Sequence, residues 1–213
     1  MAGKTREEAE ATREQILDAA LQVFQAEGVS RATLAEVAKA AGVTRGAIYW
    51  HFQNKIDLFN SMLERVRLPL DELSRASENE DEPDPLGRLS ELLVRVLTQI
   101  AEQPNVRRTM DILRYKCEYT GDLLALHAQM QCLSEDCDQR LTRALGNAVS
   151  RGQMPADLDC AQAAFSLHAY ILGVENSWLL RPDFDLAARA PMLVESALDM
   201  LRHSPALRLA DKA

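Results

Sequence analysis

The stretch Thr33–Phe59, TLAEVAKAAGVTRGAIYWHFQNKIDLF, decides the fold. It opens on Thr33 with Glu36 three residues later. A hydroxyl followed at that spacing by a carboxylate satisfies two orphan amides of a helix start reciprocally, so a helix is expected to begin at Thr33. Val37, Ala38 and Ala41 give it an apolar side, and Gly42 is placed to stop it. Thr44 then caps a third helix. Two short helices joined by a few residues that include glycine form the helix-turn-helix pattern. Asn54, three residues before Asp57, opens a fourth helix that carries Ile56, Leu58, Phe59, Met62, Leu63 and Val66.

The third helix has two different sides. Ile48 and Phe52 are four apart and lie about 40° from each other around the axis, so both dock on the neighbouring helices. Arg45 and Tyr49 form another pair, with Gly46 and Trp50 beside them. A short helix that presents arginine, a bare glycine, tyrosine and histidine fits a DNA major groove. Gly46 lets the backbone come close, and Arg45 can fork onto guanine. Tyr49 and His51 can bond phosphate, while Trp50 suits either packing or the groove. Lys55 falls in the first turn of the fourth helix, where free amides attract a phosphate. Thr33 offers the start of the second helix to the opposite strand.

Composition sets the frame for this site. The chain has 213 residues, 47% hydrophobic and 26% charged, which is ordinary for a globular protein. Its net charge is −8, yet residues 1–67 are neutral overall, with nine basic and nine acidic side chains. An acidic chain does not coat nucleic acid non-specifically. A local patch is required, and the first third is where one fits. No apolar stretch is long enough to span a bilayer, and residues 1–15 lack the apolar core of a secretory leader. The expectation is a cytoplasmic protein. Four cysteines, Cys117, Cys132, Cys137 and Cys160, contain no C-x-x-C pair. His127, Cys132 and Cys137 lie five apart and would point in different directions on a helix, so no metal is expected. The cysteines are read as buried small hydrophobes.

Upstream, Ile16, Leu17, Ala20, Leu21 and Phe24 predict an amphipathic helix over 10–27, ended by Gly28. Downstream, the fourth helix is expected over 55–73, followed by an acidic, proline-bearing loop at 77–85. Asp84 caps the next helix and Pro85 is its first residue. Further helices are expected over 85–102, 105–117, 121–151, 160–180 and 187–203. No strand pattern appears. The reading is an all-α chain of nine helices, with a DNA-binding domain at 1–54 and a second domain at 55–213.

Residues 10–59, and above all the run Tyr49-Trp50-His51-Phe52 followed by Asn54-Lys55, resemble the DNA-binding domain of the TetR family of bacterial repressors. The segments DPLGRL (84–89), KCEYTGDL (116–123) and MLRHSPALR (200–208) resemble the AcrR/TtgR type, repressors of multidrug efflux operons. The resemblance implies the nine-helix TetR-like fold, a homodimer on double-stranded palindromic operator DNA, and release by small hydrophobic or aromatic drug-like ligands. It makes Thr33, Thr44, Arg45, Gly46, Tyr49, His51 and Lys55 the DNA contacts. It also implies a ligand pocket at Val66, Leu92, Leu93, Val96, Met110, Leu113, Arg114, Cys137, Leu141, Leu167, His168, Ile171, Leu172 and Glu175. Plain core packing explains each apolar member of that set equally well. Met110 and Leu172 stand where that type has polar or acidic groups, and Asn176 stands where it has a base, so a more apolar pocket is expected.

The segment Cys160–Leu180 is apolar on more than one face and Met192–Leu201 adds a second stripe, which suits a four-helix bundle between two protomers. No nucleophile–base pattern, phosphate loop or H-E-x-x-H motif is present, so neither an enzyme nor a cofactor is expected. Glu80-Asp81 and Glu135-Asp136 read as solvated surface. The alternatives are a DNA-binding protein controlled by a protein partner, or by oxidation of Cys132 or Cys137, in place of a drug.

Overall fold

A computed structural model describes residues 6–209. Ten α-helices follow one another: α1 (Arg6–Glu27), α2 (Leu34–Ala40), α3 (Arg45–His51), α4 (Lys55–Arg67), α5 (Asp71–Glu78), α6 (Pro85–Glu102), α7 (Pro104–Tyr115), α8 (Leu124–Ser150), α9 (Cys160–Leu180) and α10 (Leu186–His203). Among the described residues there is no strand, and a single antiparallel bridge joins Leu158 to Arg208. The fold is all-α, as expected. The fourth helix of the sequence reading is two helices separated by a 3-10 turn at Leu68–Leu70. Pro69 lies in that turn and cannot donate the amide a continuing α-helix needs. If the 55–78 path is counted as one helix, the number among the described residues is nine. The path also outlasts its expected end, because Ser77 is buried and bonds back to the Ser74 carbonyl.

The chain divides into two compact units: residues 1–68 with 104–128, and residues 69–103 with 129–213. In the first, Ile16, Leu17, Leu21 and Phe24 of α1 are buried together with Val37 of α2, Ile48 of α3, Phe59 and Met62 of α4, and Ile112 of α7. The rings of Phe24 and Phe59 meet at 6.3 Å between centroids. At the rim, Arg65 of α4 bridges Asp18 at 2.7 Å and Glu14 at 3.0 Å. Gly28 ends the neighbourhood of α1 with φ +81°, a conformation that glycine adopts without cost.

In the second unit, α6 buries Leu86, Leu89, Leu93 and Leu97, and α10 buries Val194, Leu198 and Leu201. Asp84 caps α6 ahead of Pro85, as its sequence position predicts, and also accepts a 2.7 Å bond from Gln153. The end of α5 is held by α8. Glu78 accepts from Arg140 Nε at 2.6 Å and from the Arg143 terminal nitrogen at 2.7 Å, while Asn147 donates to the Glu78 carbonyl at 3.0 Å. Burial pushes the Glu78 carboxyl upward, but the two guanidinium groups outweigh it and hold the pKa below the usual glutamate value.

The cysteines correct the sequence reading. None is buried: Cys132 is exposed, and Cys117, Cys137 and Cys160 are intermediate. Cys132 lies in the first half of α8, where His127, Gln131, Ser134 and Glu135 are also exposed, so that stretch offers it no apolar cover. The acidic pairs Glu80-Asp81 and Glu135-Asp136 are exposed, as expected.

Candidate nucleic-acid interface

Three caps build the site. Thr33 and Glu36 form the capping box at α2, with the Thr33 amide 2.8 Å from the Glu36 carboxylate and the Glu36 amide 3.2 Å from the Thr33 hydroxyl. The Thr33 hydroxyl, donating to the Glu36 carboxylate at 2.7 Å, and the Thr33 amide hold that carboxyl below its ordinary pKa. The Thr44 hydroxyl accepts from the Ala47 amide at 3.1 Å and starts α3. Asn54 accepts from the Asp57 amide at 2.9 Å and starts α4. Between α2 and α3, Gly42 turns the chain at φ +65°, where a side chain would be strained. From α1, Gln15 donates to the Ala41 carbonyl at 2.8 Å and closes the end of α2.

α3 is divided as the spacing predicts. Ile48 is 0% and Phe52 1% exposed, and the Arg13 guanidinium lies 5.5 Å from the centroid of the Phe52 ring. On the other side Thr44, Arg45 and Gly46 are exposed, Tyr49 is 53% and Trp50 72% exposed. His51 is intermediate, its ring edge-on to Trp50 at 4.5 Å. Tryptophan left open beside tyrosine is not a core element here, and the two rings form an exposed aromatic patch. Trp50 lies about 160° around the axis from both Ile48 and Phe52, opposite the buried side; sequence reasoning left it undecided because rings often wedge a small domain together.

Gly46 is informative because of what does not surround it. A Cβ placed there would have its nearest neighbour, the Thr44 hydroxyl, at 3.9 Å, which is ordinary contact. Internal packing therefore does not demand glycine, and neither does a positive φ.

Lys55 sits at the start of α4, but its ammonium points back along the chain. It donates to the Ser30 carbonyl at 2.8 Å and to the Ala32 carbonyl at 3.1 Å.

Comparisons with known proteins identify the family. Residues 16–62 match the bacterial regulatory proteins of the tetR family, and residues 84–203 match the C-terminal region of MAATS-type transcriptional repressors. The HTH-type transcriptional regulator TtgR of Pseudomonas putida is 47% identical over 98% of this chain and 100% of its own. The chain belongs to the TetR family of bacterial regulatory proteins. Among solved TetR-type structures, NalD of Pseudomonas aeruginosa, the secondary repressor of the MexAB-OprM multidrug efflux pump, has a TM-score of 0.81 and 36% identity over 93% of this chain and 100% of that one. A SmeT–triclosan complex has a TM-score of 0.77 and 37% identity over 90% of each chain. The relatives are named as transcriptional regulators and repressors, not as enzymes. No helix among the described residues is long and apolar enough to cross a membrane.

The pocket positions that TetR membership implies fall in both units. In the first, Val66 is buried, Met110 and Leu113 are intermediate and Arg114 is exposed. In the second, Leu93, Leu141, Leu167, Ile171 and Glu175 are buried, while Leu92, Val96, Cys137, His168 and Leu172 are intermediate. His168 Nδ1 lies 2.6 Å from the Asp138 carboxylate, a pairing across thirty residues that no local pattern announces. Glu175 of α9, 4% exposed, is the polar group most deeply placed in the set.

Proposed function

We propose that this protein is a ligand-released repressor of a multidrug efflux operon that binds a palindromic operator as a homodimer in the cytoplasm. The observation that carries the DNA reading is the division of α3: Ile48 and Phe52 anchor it while Arg45, Gly46, Tyr49 and Trp50 stay open, with room at Gly46 that the fold itself does not use. In this reading Arg45 reads a base edge. Thr33, Thr44, Tyr49 and His51 hold the flanking phosphates, and the first amides of α4 at Lys55 take another.

An apolar strip supports the dimer. Phe165 and Leu180 of α9 and Met192 and Met200 of α10 are exposed, with Ala169, Gly173 and Ser196 between them. A patch of that kind, with small residues that let helices approach, suits a two-fold bundle. Two recognition helices are then set for half-sites about 34–36 Å apart. The apolar positions of the second unit, with Glu175 and His168 as polar exceptions, suit a hydrophobic ligand that needs a few orienting groups. SmeT in complex with triclosan supports the same class of effector. A ligand that binds the DNA-incompetent conformation better releases the operator, and only that differential affinity matters.

The test is selection of duplexes from a random library by the full chain, followed by titration of the selected duplex with triclosan. The expected outcome is an inverted repeat whose complex dissociates as triclosan rises. Recovery of no sequence, or a complex indifferent to triclosan and a panel of aromatic antibiotics, removes the DNA reading or the drug reading respectively.

A further inference from the structure

We propose that the side chain of Lys55 is a positioning residue for the recognition helix and not a phosphate contact. The inference rests on the DNA reading above, which places a phosphate on the first amides of α4, and it gives the ammonium a separate role.

Two of its donors are spent on backbone carbonyls, Ser30 at 2.8 Å and Ala32 at 3.1 Å. Those carbonyls belong to the loop between α1 and α2. Ala32 immediately precedes Thr33, the N-cap of α2. Lys55 is the first residue of α4. The two bonds therefore span 25 and 23 residues and close a ring containing the whole of α2, the turn and α3. A charge-assisted bond at that point fixes the entry to α2 relative to the exit from α3. The recognition helix lies between those two fixed points.

The loop is gripped from a second direction. The Val29 amide donates to the Lys116 carbonyl at 2.9 Å, the Ala32 amide donates to the Gly28 carbonyl at 3.2 Å, and Val29 and Ala32 are buried. A Cβ at Gly28 would stand 3.3 Å from the Lys116 carbonyl oxygen, so the approach is already close. The Ser30 and Ala32 carbonyls both accept from the Lys55 ammonium, a cation on a flexible stem that satisfies the two together. Moving the ammonium to a phosphate would leave those two acceptors without these bonds.

Salt dependence separates the two roles. A lost phosphate contact makes the slope of log K against log salt shallower by about 0.9, whereas a lost positioning contact lowers affinity by a similar factor at every salt concentration. The experiment compares the full chain with Lys55→Met, which keeps the aliphatic stem and removes charge and donors. Binding to the duplex selected by the wild type is measured across a salt series, and amide exchange at Val29 and Ala32 is measured without DNA. Positioning predicts affinity lower by about tenfold, parallel salt lines, and faster exchange at both amides. A slope shallower by about 0.9 with unchanged exchange overturns the proposal. If wild type selects no duplex, the DNA reading falls, and the exchange arm still decides whether Lys55 holds the loop. Should the methionine variant not fold, the Lys55 ammonium resonance of the wild-type protein decides: unmoved by operator supports positioning, and shifted by it refutes positioning.

Discussion

Replacing Glu78 with glutamine tests how α5 is held. The substitution keeps the shape of the side chain and removes the charge that Arg140 and Arg143 share. Arg140 is the more important partner: its side chain is 23% exposed, that of Glu78 16%, and the bond is 2.6 Å. A hydrogen bond to a charged group contributes about 1.5–3 kcal/mol. Arg143 is 52% exposed, so solvent screening reduces its share to about 0.5 kcal/mol. The glutamine retains one acceptor oxygen, which recovers part of the loss. The net expectation is a destabilisation of about 2 kcal/mol, or about 4–8 °C in melting temperature for a chain of this size. Thermal unfolding at fixed protein concentration measures it. A cycle with Arg140→Gln should return a coupling of at least about 1 kcal/mol. The pH dependence has a definite sign. Because the folded carboxyl is held below the ordinary value of 4.5, its contribution is complete above that value and disappears as pH falls through the lower folded value. The gap between wild type and variant should therefore close in acid. A gap under about 0.5 kcal/mol at neutral pH, or one that widens in acid, would refute the reasoning.

Two further outcomes follow from the exposed surfaces. Gly46→Ala should stabilise the free protein by up to about 1 kcal/mol, since alanine is the better helix former and its Cβ meets nothing closer than 3.9 Å. The same variant should bind the selected duplex at least tenfold more weakly by gel shift; wild-type affinity would show that α3 does not approach DNA at that point. Phe165→Glu leaves the protomer folded because the ring is 59% exposed within the chain. Two lost rings per symmetric interface, at about 2 kcal/mol each, should raise the dimer dissociation constant about a thousandfold by sedimentation. A persistent dimer would place the interface elsewhere.

What the sequence revealed and what it hid follows from the range of each interaction. The caps at Thr33, Thr44, Asn54 and Asp84 are each settled within three residues, so their chemistry is written locally. Ile48 and Phe52 are one helical turn apart, and periodicity alone places both in the core. Trp50 needed the packed neighbours to decide its exposure. The Lys55 bonds end on backbone carbonyls, which carry no residue-specific signal, and the Glu78 bond to Arg140 crosses 62 positions. Cys132 and Cys137 were misjudged because burial depends on which faces of α8 are covered, and residue type does not encode that. Pro69 carries the local signal for the break between α4 and α5, which the helix expected over 55–73 passed over.

The double variant Arg45→Ala/Tyr49→Ala tests the central claim most directly. Both side chains are exposed and neither carries the core, so the melting temperature should stay within a degree or two of wild type. A bidentate arginine is worth about 1–3 kcal/mol, and with the tyrosine contact removed the loss of affinity for the selected duplex should reach about a hundredfold. Folded protein that grips that duplex as tightly as the parent would contradict the account.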